Sequence, residues 1–461
     1  MYLKTFTDEK LAQNAYLVGC QQTGEAIIID PPRHFNHIIE DAAKEGLEIT
    51  AAADTHIHAD YVSGARELAI KHGAKLYLSD EGDKDWKYEF TDGIKSELLK
   101  EGSKINIGKV ELEVMYTPGH TPESLSFILT DFGGGATEPM GIFTGDFVFV
   151  GDVGRPDLLE EAAGIMDTAD AGARDMFNSL KRFKALPDHL IVWPGHGAGS
   201  ACGKSLGSVP TTTVGYEKQV NWALKIDEEE AFVKELLADQ PEAPTYFAKM
   251  KEVNKVGPAL LEEKDIPLIL NKNELNEWLE KGKTLILDTR SAEEAQSTLI
   301  EGSINIPFDS KFTNWVGWLA KYDEQLLLLT KDGERKEVQQ ALESIGFDVI
   351  GAFIDENVIS EVETNAYQTI SMKEFIKEID NEDVFVVDVR NKTEWNAGHF
   401  EQANHLFLGK LRQLPLPENK RIMVHCETGA RSAVAASILK ARGCKDVNHM
   451  RSSYAETIKQ M

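Results

Sequence analysis

Thr55-His56-Ile57-His58-Ala59-Asp60-Tyr61 is the stretch on which the reading of the fold turns. His56 and His58 stand two residues apart, so an extended segment can aim both at one centre, and Asp60 follows at the same spacing. Working outward, three further segments carry the same residue types: Gly119-His120-Thr121, Thr144-Gly145-Asp146 and Pro194-Gly195-His196-Gly197. A lone histidine pair is weak evidence, because histidines often satisfy core hydrogen bonds. Separate His/Asp segments, with Gly or Pro letting the backbone turn, form the pattern of a metal site assembled from loops. Apolar runs around these segments read as strands. Ala26-Ile27-Ile28-Ile29 is a buried strand stopped by Pro31-Pro32, Val110–Met115 alternates as a half-buried strand, and Leu190-Ile191-Val192-Trp193 leads into Pro194. Loops held at strand ends on a rigid sheet are where function collects.

A second reactive centre lies near the C-terminus, in His425-Cys426-Glu427-Thr428-Gly429-Ala430-Arg431-Ser432. Cys426 ends the apolar strand Ile422-Met423-Val424, and a helix is predicted from Ser432 to Lys440. Glu427, Thr428, Gly429 and Ala430 form a loop that turns backbone N–H groups inward, with Gly429 permitting the tight turn. The helix N-terminus and Arg431 add positive potential, which favours a thiolate on Cys426. Such a group can take up a sulfur atom and hold it as a persulfide.

The C-terminal half repeats itself. Leu285-Ile286-Leu287-Asp288-Thr289-Arg290 is answered by Phe385-Val386-Val387-Asp388-Val389-Arg390, Glu294 by Glu394, and the run ending at Thr330 by the run ending at Cys426. A period of about one hundred residues is a domain duplication rather than a solenoid. Strands alternating with helices predict a small parallel sheet in each copy. In the first copy Thr330 stands opposite Cys426, with Lys331 and Asp332 in place of the loop residues, so that copy cannot carry a persulfide.

At 461 residues the chain is too long for one core, and length predicts roughly three domains. The expected boundaries are 1–240 for the first, 266–362 and 366–461 for the two repeats, and 241–265 for a connector broken by Pro241, Pro244, Gly257 and Pro258. A net charge of -27 argues against nucleic acid and anionic membranes as partners. No apolar run approaches the roughly 20 residues that span a bilayer, and the start has no signal-peptide core, so the cytoplasm is expected. The four cysteines lack Cys-x-x-Cys spacing and read as free thiols, with Cys20 and Cys444 as packing residues.

The His-x-His-x-Asp segment, with Thr117-Pro118-Gly119-His120-Thr121, Gly145-Asp146 and Pro194-Gly195-His196, resembles the metallo-β-lactamase fold over residues 1–240. The resemblance implies an αββα sandwich with the metal at one edge. The sequence departs from the family at Tyr61, where a histidine normally follows the aspartate and holds the second metal of binuclear zinc hydrolases. What remains fits a 2-His-1-carboxylate set, His56, His120 and Asp146, leaving open positions for oxygen and substrate on one ferrous ion per chain. His58, Asp60 and His196 would then orient ligands and a water. Tyr61 either packs on the loop or offers its hydroxyl to substrate. The segments 151–157 and 197–204 are similar to those of persulfide dioxygenases, in which a persulfide and dioxygen give sulfite and a thiol. There Arg155 would bind the organic part of the thiol or pair with Asp152 or Asp157. Cys202 would reach the pocket or simply pack.

Asp388-Val389-Arg390, Glu394-Trp395, Gly398-His399-Phe400 and the Cys426 loop resemble a rhodanese domain. Related phosphatases carry a longer loop for a tetrahedral oxyanion, so the shorter one here suits sulfane sulfur. The first copy resembles an inactive rhodanese, with Trp315 and Trp318 as candidate packing contacts. Taken whole, the chain resembles bacterial persulfide dioxygenase–rhodanese fusions. The resemblance implies sulfide detoxification by a homo-oligomer whose partners are a low-molecular-weight thiol persulfide, O2 and sulfite or thiosulfate. Two other readings stay open: a zinc thioester hydrolase of the glyoxalase II type with an appended sulfurtransferase, and a sulfur-carrier or docking protein. The thiol (glutathione, coenzyme A, bacillithiol or cysteine) and the direction of sulfur flow also stay open.

Overall fold

Six strands build the first sheet: β1 (Tyr2–Asp8), β2 (Gln13–Cys20), β3 (Glu25–Ile29), β4 (Glu48–Ala53), β5 (Lys75–Ser79) and β6 (Ser96–Leu99), hydrogen-bonded in that order. β1 to β3 are antiparallel and β3 to β6 parallel. The computed structural model of the chain describes residues 1–158, 160, 168–204, 206–417 and 420–460. Ile27, Ile28 and Ile29 of β3 are wholly buried, as expected of β-branched residues in a strand covered on both faces. A second sheet holds β7 (Lys104–Ile107), β8 (Val110–Tyr116), β9 (Leu125–Asp131), β10 (Gly141–Gly145), β11 (Ile191–Pro194) and β12 (Thr212–Thr213), again in chain order.

The two sheets meet face to face. Val18, Ile27, Ile29 and Ala53 of the first pack against Leu112, Val114, Phe127 and Phe143 of the second. Helices Asn36–Lys44 and Ala65–His72 cover the outer face of the first sheet through Ile38, Ala42 and Leu68. Helices Thr168–Lys184 and Glu229–Leu237 cover the second through Met176, Phe177, Phe183 and Phe232. The result is the expected αββα sandwich. The segments carrying His56, His120, Asp146 and His196 all leave strand ends, after β4, β8, β10 and β11.

The expected connector at 241–265 is different in the structure. It contains the helix Phe247–Val256, which buries Phe247, Met250 and Asn254. Residues Met1–Glu262, with Glu343–Gly346, form one compact unit. Arg66 and Lys71 donate to the carbonyls of Pro258 and Leu261, both at 2.6 Å, and hold the following segment down. The prolines and Gly257 that interrupt the periodicity therefore bracket a packed helix, for which Gly257 is the C-cap.

Glu263–Leu342 and Phe347–Met461 form the second unit. It holds two five-stranded sheets. One contains β13 (Leu268–Ile269), β14 (Thr284–Asp288), β16 (Ile304–Asn305), β17 (Gln325–Leu329) and β18 (Ile350–Ile354), and the other β20 (Gln368–Ile370), β21 (Val384–Asp388), β22 (Ala403–His405), β23 (Arg421–His425) and β24 (Val447–Met450). All pairings within both sheets are parallel. The duplication extends to side chains: Arg290 forks onto Asp288, and Arg390 onto Asp388.

The copies are joined by β15 (Leu299–Ile300) pairing with β19 (Thr364–Asn365), and by Asn305 N–H donating to Ser437 Oγ at 2.9 Å. Arg412 also forks onto Glu324 at 2.7 and 2.8 Å. Trp318 meets Phe407 edge-on at 5.1 Å, so this tryptophan does belong to the contact with the second copy. Helix Ala430–Ala441 buries every residue from Ser432 to Leu439, because its own sheet covers one side and the first copy touches another. Among the described residues no helix is long and apolar enough to cross a membrane.

Candidate functional site

The loop after β4 is buried throughout and is pinned from three directions. Asp30, just past β3, takes a positive φ of 52°, which aspartate tolerates better than most residues. Its carboxylate accepts the Thr55 amide at 2.7 Å and the Thr55 hydroxyl at 3.0 Å, and it pairs with His58 Nε2 at 3.0 Å. Burial opposes charge on His58, but Asp30 outweighs it and lifts its pKa to about 9. Glu123 accepts the Ile57 amide at 2.7 Å. Asn254 donates to the carbonyls of His58 and Tyr61 at 2.8 and 2.7 Å. Asp30, Glu123 and Asn254 are absent from the sequence-derived site. A charged residue ending the apolar run 26–29 was the available signal for Asp30. Nothing local marks Asn254, which arrives from some two hundred residues away.

His56, His120 and Asp146 bring ligand atoms within 4.8 Å of one another, all buried. The Thr55 hydroxyl donates to Asp30, so His56 Nδ1 must donate to that hydroxyl, leaving Nε2 for the centre. His120 Nδ1 donates to the Arg155 carbonyl at 2.9 Å with the same consequence. Burial and the neighbouring imidazoles hold His56 well below the ordinary histidine pKa, and burial lowers His120, so both are neutral ligands. Among the described residues neither Asp146 oxygen accepts a hydrogen bond, although Oδ2 lies 3.5 Å from His120 Nε2 and 4.0 Å from His56 Nε2. A buried carboxylate without hydrogen bonds among free imidazole nitrogens is costly unless a cation completes it. The donor set fits a divalent transition metal, and this cluster could hold one. Gly145 permits the close approach: a Cβ there would sit 2.4 Å from Thr55 Oγ1.

Asp60, His196 and Cys202 form a second, adjacent cluster, with His196 Nε2 3.1 Å from Asp60 Oδ2. Cys202 is fully inside, and burial with the nearby carboxylates of Asp146 and Asp60 pushes its thiol pKa up. Tyr61 stacks on His58 at 4.5 Å and donates to the Asp30 carbonyl at 3.4 Å, which is the packing alternative. Arg155 is fully buried and forks onto Asp157, which is the ion-pair alternative; only its Nη1 is without a partner.

In the second unit, β23 delivers Cys426 to the loop. Its Sγ accepts the amides of Gly429 at 3.1 Å and Ser432 at 3.3 Å. Gly429 has φ of +98°, the left-handed turn the loop requires. Arg431, expected to add positive potential, forks onto Glu394 with both contacts at 2.6 Å, and Glu394 also closes a capping box with Asn391. Arg431 therefore braces the loop against the helix Lys392–Ala397. Two residues join the site that sequence reasoning did not assign to it: Ser432, whose Oγ lies 3.6 Å from Sγ, and His449, whose Nδ1 lies 2.9 Å from that Oγ.

The first copy has no such cradle. Thr330 accepts from the Thr289 hydroxyl at 3.1 Å, Asp332–Glu334 wind into a 3-10 turn, and Lys331 pairs with Glu294 at 2.8 Å. Gly333 does not adopt the positive φ of Gly429. Thr330→Cys in a Cys426→Ser background is therefore expected to show no thiosulfate:cyanide sulfurtransferase activity. Measurable turnover by that double variant would show that a thiol alone suffices.

Comparison with known proteins follows the same division. Residues 8–196 match the Metallo-beta-lactamase superfamily, and residues 271–353 and 371–460 each match the Rhodanese-like domain. A crystal structure titled as a metallo-beta-lactamase from Staphylococcus aureus subsp. aureus COL is 43% identical, with a TM-score of 0.70, and the alignment covers 77% of this chain and 99% of that one. The probable polyketide biosynthesis zinc-dependent hydrolase PksB of Bacillus subtilis is 27% identical over 48% of this chain and 84% of its own length. The mitochondrial persulfide dioxygenase ETHE1 of Mus musculus is 28% identical over 42% of this chain and 67% of its own.

Proposed function

Because the chain belongs to the metallo-β-lactamase superfamily and carries two rhodanese-like domains after that fold, we propose that it is a persulfide dioxygenase joined to a sulfurtransferase. The observation that carries this reading is Tyr61. Its side chain is spent on His58 and the Asp30 carbonyl, so the residue that would hold a second metal in a binuclear hydrolase is a packing group. His56, His120 and Asp146 would hold one ferrous ion, with His58, Asp60 and His196 supporting them. Bound there, iron would supply the redox chemistry that joins O2 to a sulfane sulfur: R–S–SH + O2 + H2O gives R–SH + SO3(2-) + 2 H+. The buried walls keep bulk water from the centre, and the Asp30, Glu123 and Asn254 contacts fix the loop that presents His56. Cys426 would carry a sulfane sulfur, with Glu427, Thr428, Gly429 and Ala430 forming its cradle. Transfer to sulfite then yields thiosulfate.

A zinc hydrolase is the second reading, favoured by the Asp60, His196 and Cys202 cluster, whose side chains could hold a second cation. Anaerobic reconstitution with ferrous iron, metal analysis and oxygen uptake across a panel of thiol persulfides decide between them. One iron per chain with sulfite formed as oxygen is consumed is the expected result. Two tightly held zinc ions with thioester cleavage and no oxygen uptake would overturn the dioxygenase.

A further inference from the structure

Sulfite and thiosulfate are small, yet the cradle of Cys426 opens on a cavity of about 740 Å³. An inorganic anion needs the room of a few waters, each about 30 Å³. The cavity instead matches the roughly 300–1,000 Å³ of sites that enclose whole small molecules. Thr428, Gly429 and Arg431 line it from the Cys426 loop, and Lys311, Asn314 and Trp315 line it from the inactive copy.

Those three residues sit at i, i+3 and i+4 at the start of helix Phe312–Leu319, so they share one face. The other face buries Phe312, Val316 and Leu319, which hold the helix in its own core. The lining cations differ in their engagement. Arg431 is forked onto Glu394 and Arg451 pairs with Glu293. Lys311 is exposed, and no described carboxylate lies within ion-pair distance of its ammonium; Asp309 Oδ1 accepts the Lys311 backbone amide, at 2.8 Å, and not the ammonium. The Asn314 side-chain amide likewise makes no hydrogen bond with a described residue, and Trp315 is half-buried, leaving part of its indole to the cavity.

We propose that the inactive copy is the binding wall for the organic body of an anionic thiol persulfide, with Lys311 and Trp315 as the specificity-determining residues. The proposal rests on the sulfur-transfer reading of Cys426. An ammonium for a carboxylate or phosphate, an amide for a peptide-like group and an indole face for an apolar or planar one describe a low-molecular-weight thiol with an extended anionic body. Held so, the donor meets Cys426 at its sulfane end. The Cys426 sulfur bonds to the outer sulfur, the S–S bond breaks, and its electron pair leaves on the thiol: R–S–SH + Cys–S(-) gives R–S(-) + Cys–S–SH. No oxidant is needed.

The test uses the full chain and follows Cys426 persulfide by intact mass, so it is independent of the metal centre. Donors are glutathione persulfide, coenzyme A persulfide and the neutral persulfide of 2-mercaptoethanol. Lys311→Glu is expected to lower kcat/KM for at least one anionic donor by about fivefold relative to the neutral one, the scale of one reversed exposed charge pair. The donor that suffers most distinguishes carboxylate from phosphate recognition. Lys311→Arg should keep the preference, and Trp315→Leu should weaken both large donors more than the small one. Equal losses for all three donors with Lys311→Glu, or no loss for any, would overturn the proposal. If wild type acquires no sulfur on Cys426 from any donor, the sulfur-transfer reading itself fails, which is a separate result.

Discussion

Cys426→Ser is expected to cut sulfur transfer by about three orders of magnitude or more, the scale of removing a nucleophile, while oxygen uptake stays within about twofold. Serine keeps the loop's shape, since its hydroxyl oxygen can accept the Gly429 and Ser432 amides that Sγ accepts, and the Arg431–Glu394 brace does not involve the thiol. It cannot hold a sulfane sulfur. The metal centre belongs to a different compact unit with its own core, so its chemistry should continue. The product should therefore change: mainly thiosulfate from wild type, mainly sulfite from the variant. Sulfite and persulfide also react in solution, so the measurement needs a sulfite-trapping reagent. Equal thiosulfate-to-sulfite ratios in trapped wild type and variant would mean that the two centres do not work in series.

His120→Ala should have the opposite pattern. It removes an Nε2 ligand whose orientation is set by the Arg155 carbonyl, and it leaves the Asp146 carboxylate without that neighbour. Metal content should fall to background and oxygen uptake should be lost. Cys426 should still acquire sulfur from thiosulfate, because the second unit has separate cores. Both readouts come from one preparation: elemental analysis for metal and a cyanide assay for transfer. Full oxygen uptake by a metal-free His120→Ala protein would remove the assignment of His56, His120 and Asp146.

The parts of this architecture that were legible in the sequence share a physical cause. Apolar runs such as Ala26–Ile29 and Ile422–Val424 are short enough to be strands only, and the reactive residues stand immediately past such strands. The duplication was visible because Asp288/Arg290 and Asp388/Arg390 solve the same problem twice, each fork fixing the end of a central strand. What was not legible depends on distant pairing. Pro241, Pro244 and Gly257 look alike whether they bound a loose tether or a packed helix; the decisive contacts, from Asn254 to His58 and Tyr61, have no local signature. Arg431 was read only as a source of positive potential because its partner Glu394 lies in another strand-helix unit. Arg155 posed the same difficulty at short range, since the folded loop and not the spacing sets its pairing with Asp157 rather than Asp152.

Helix Ala430–Ala441 has a consequence for how such a chain can change over time. With Ser432 through Leu439 all enclosed, cutting away the first copy would lay bare an apolar flank on the surviving one. The silent copy is thus not a relic awaiting deletion. At its loop Thr330 simply accepts from Thr289, whereas the surface carrying Asn305 and Trp318 holds the second copy and carries a constraint independent of catalysis. Gene fission or shuffling should move the two copies as a pair.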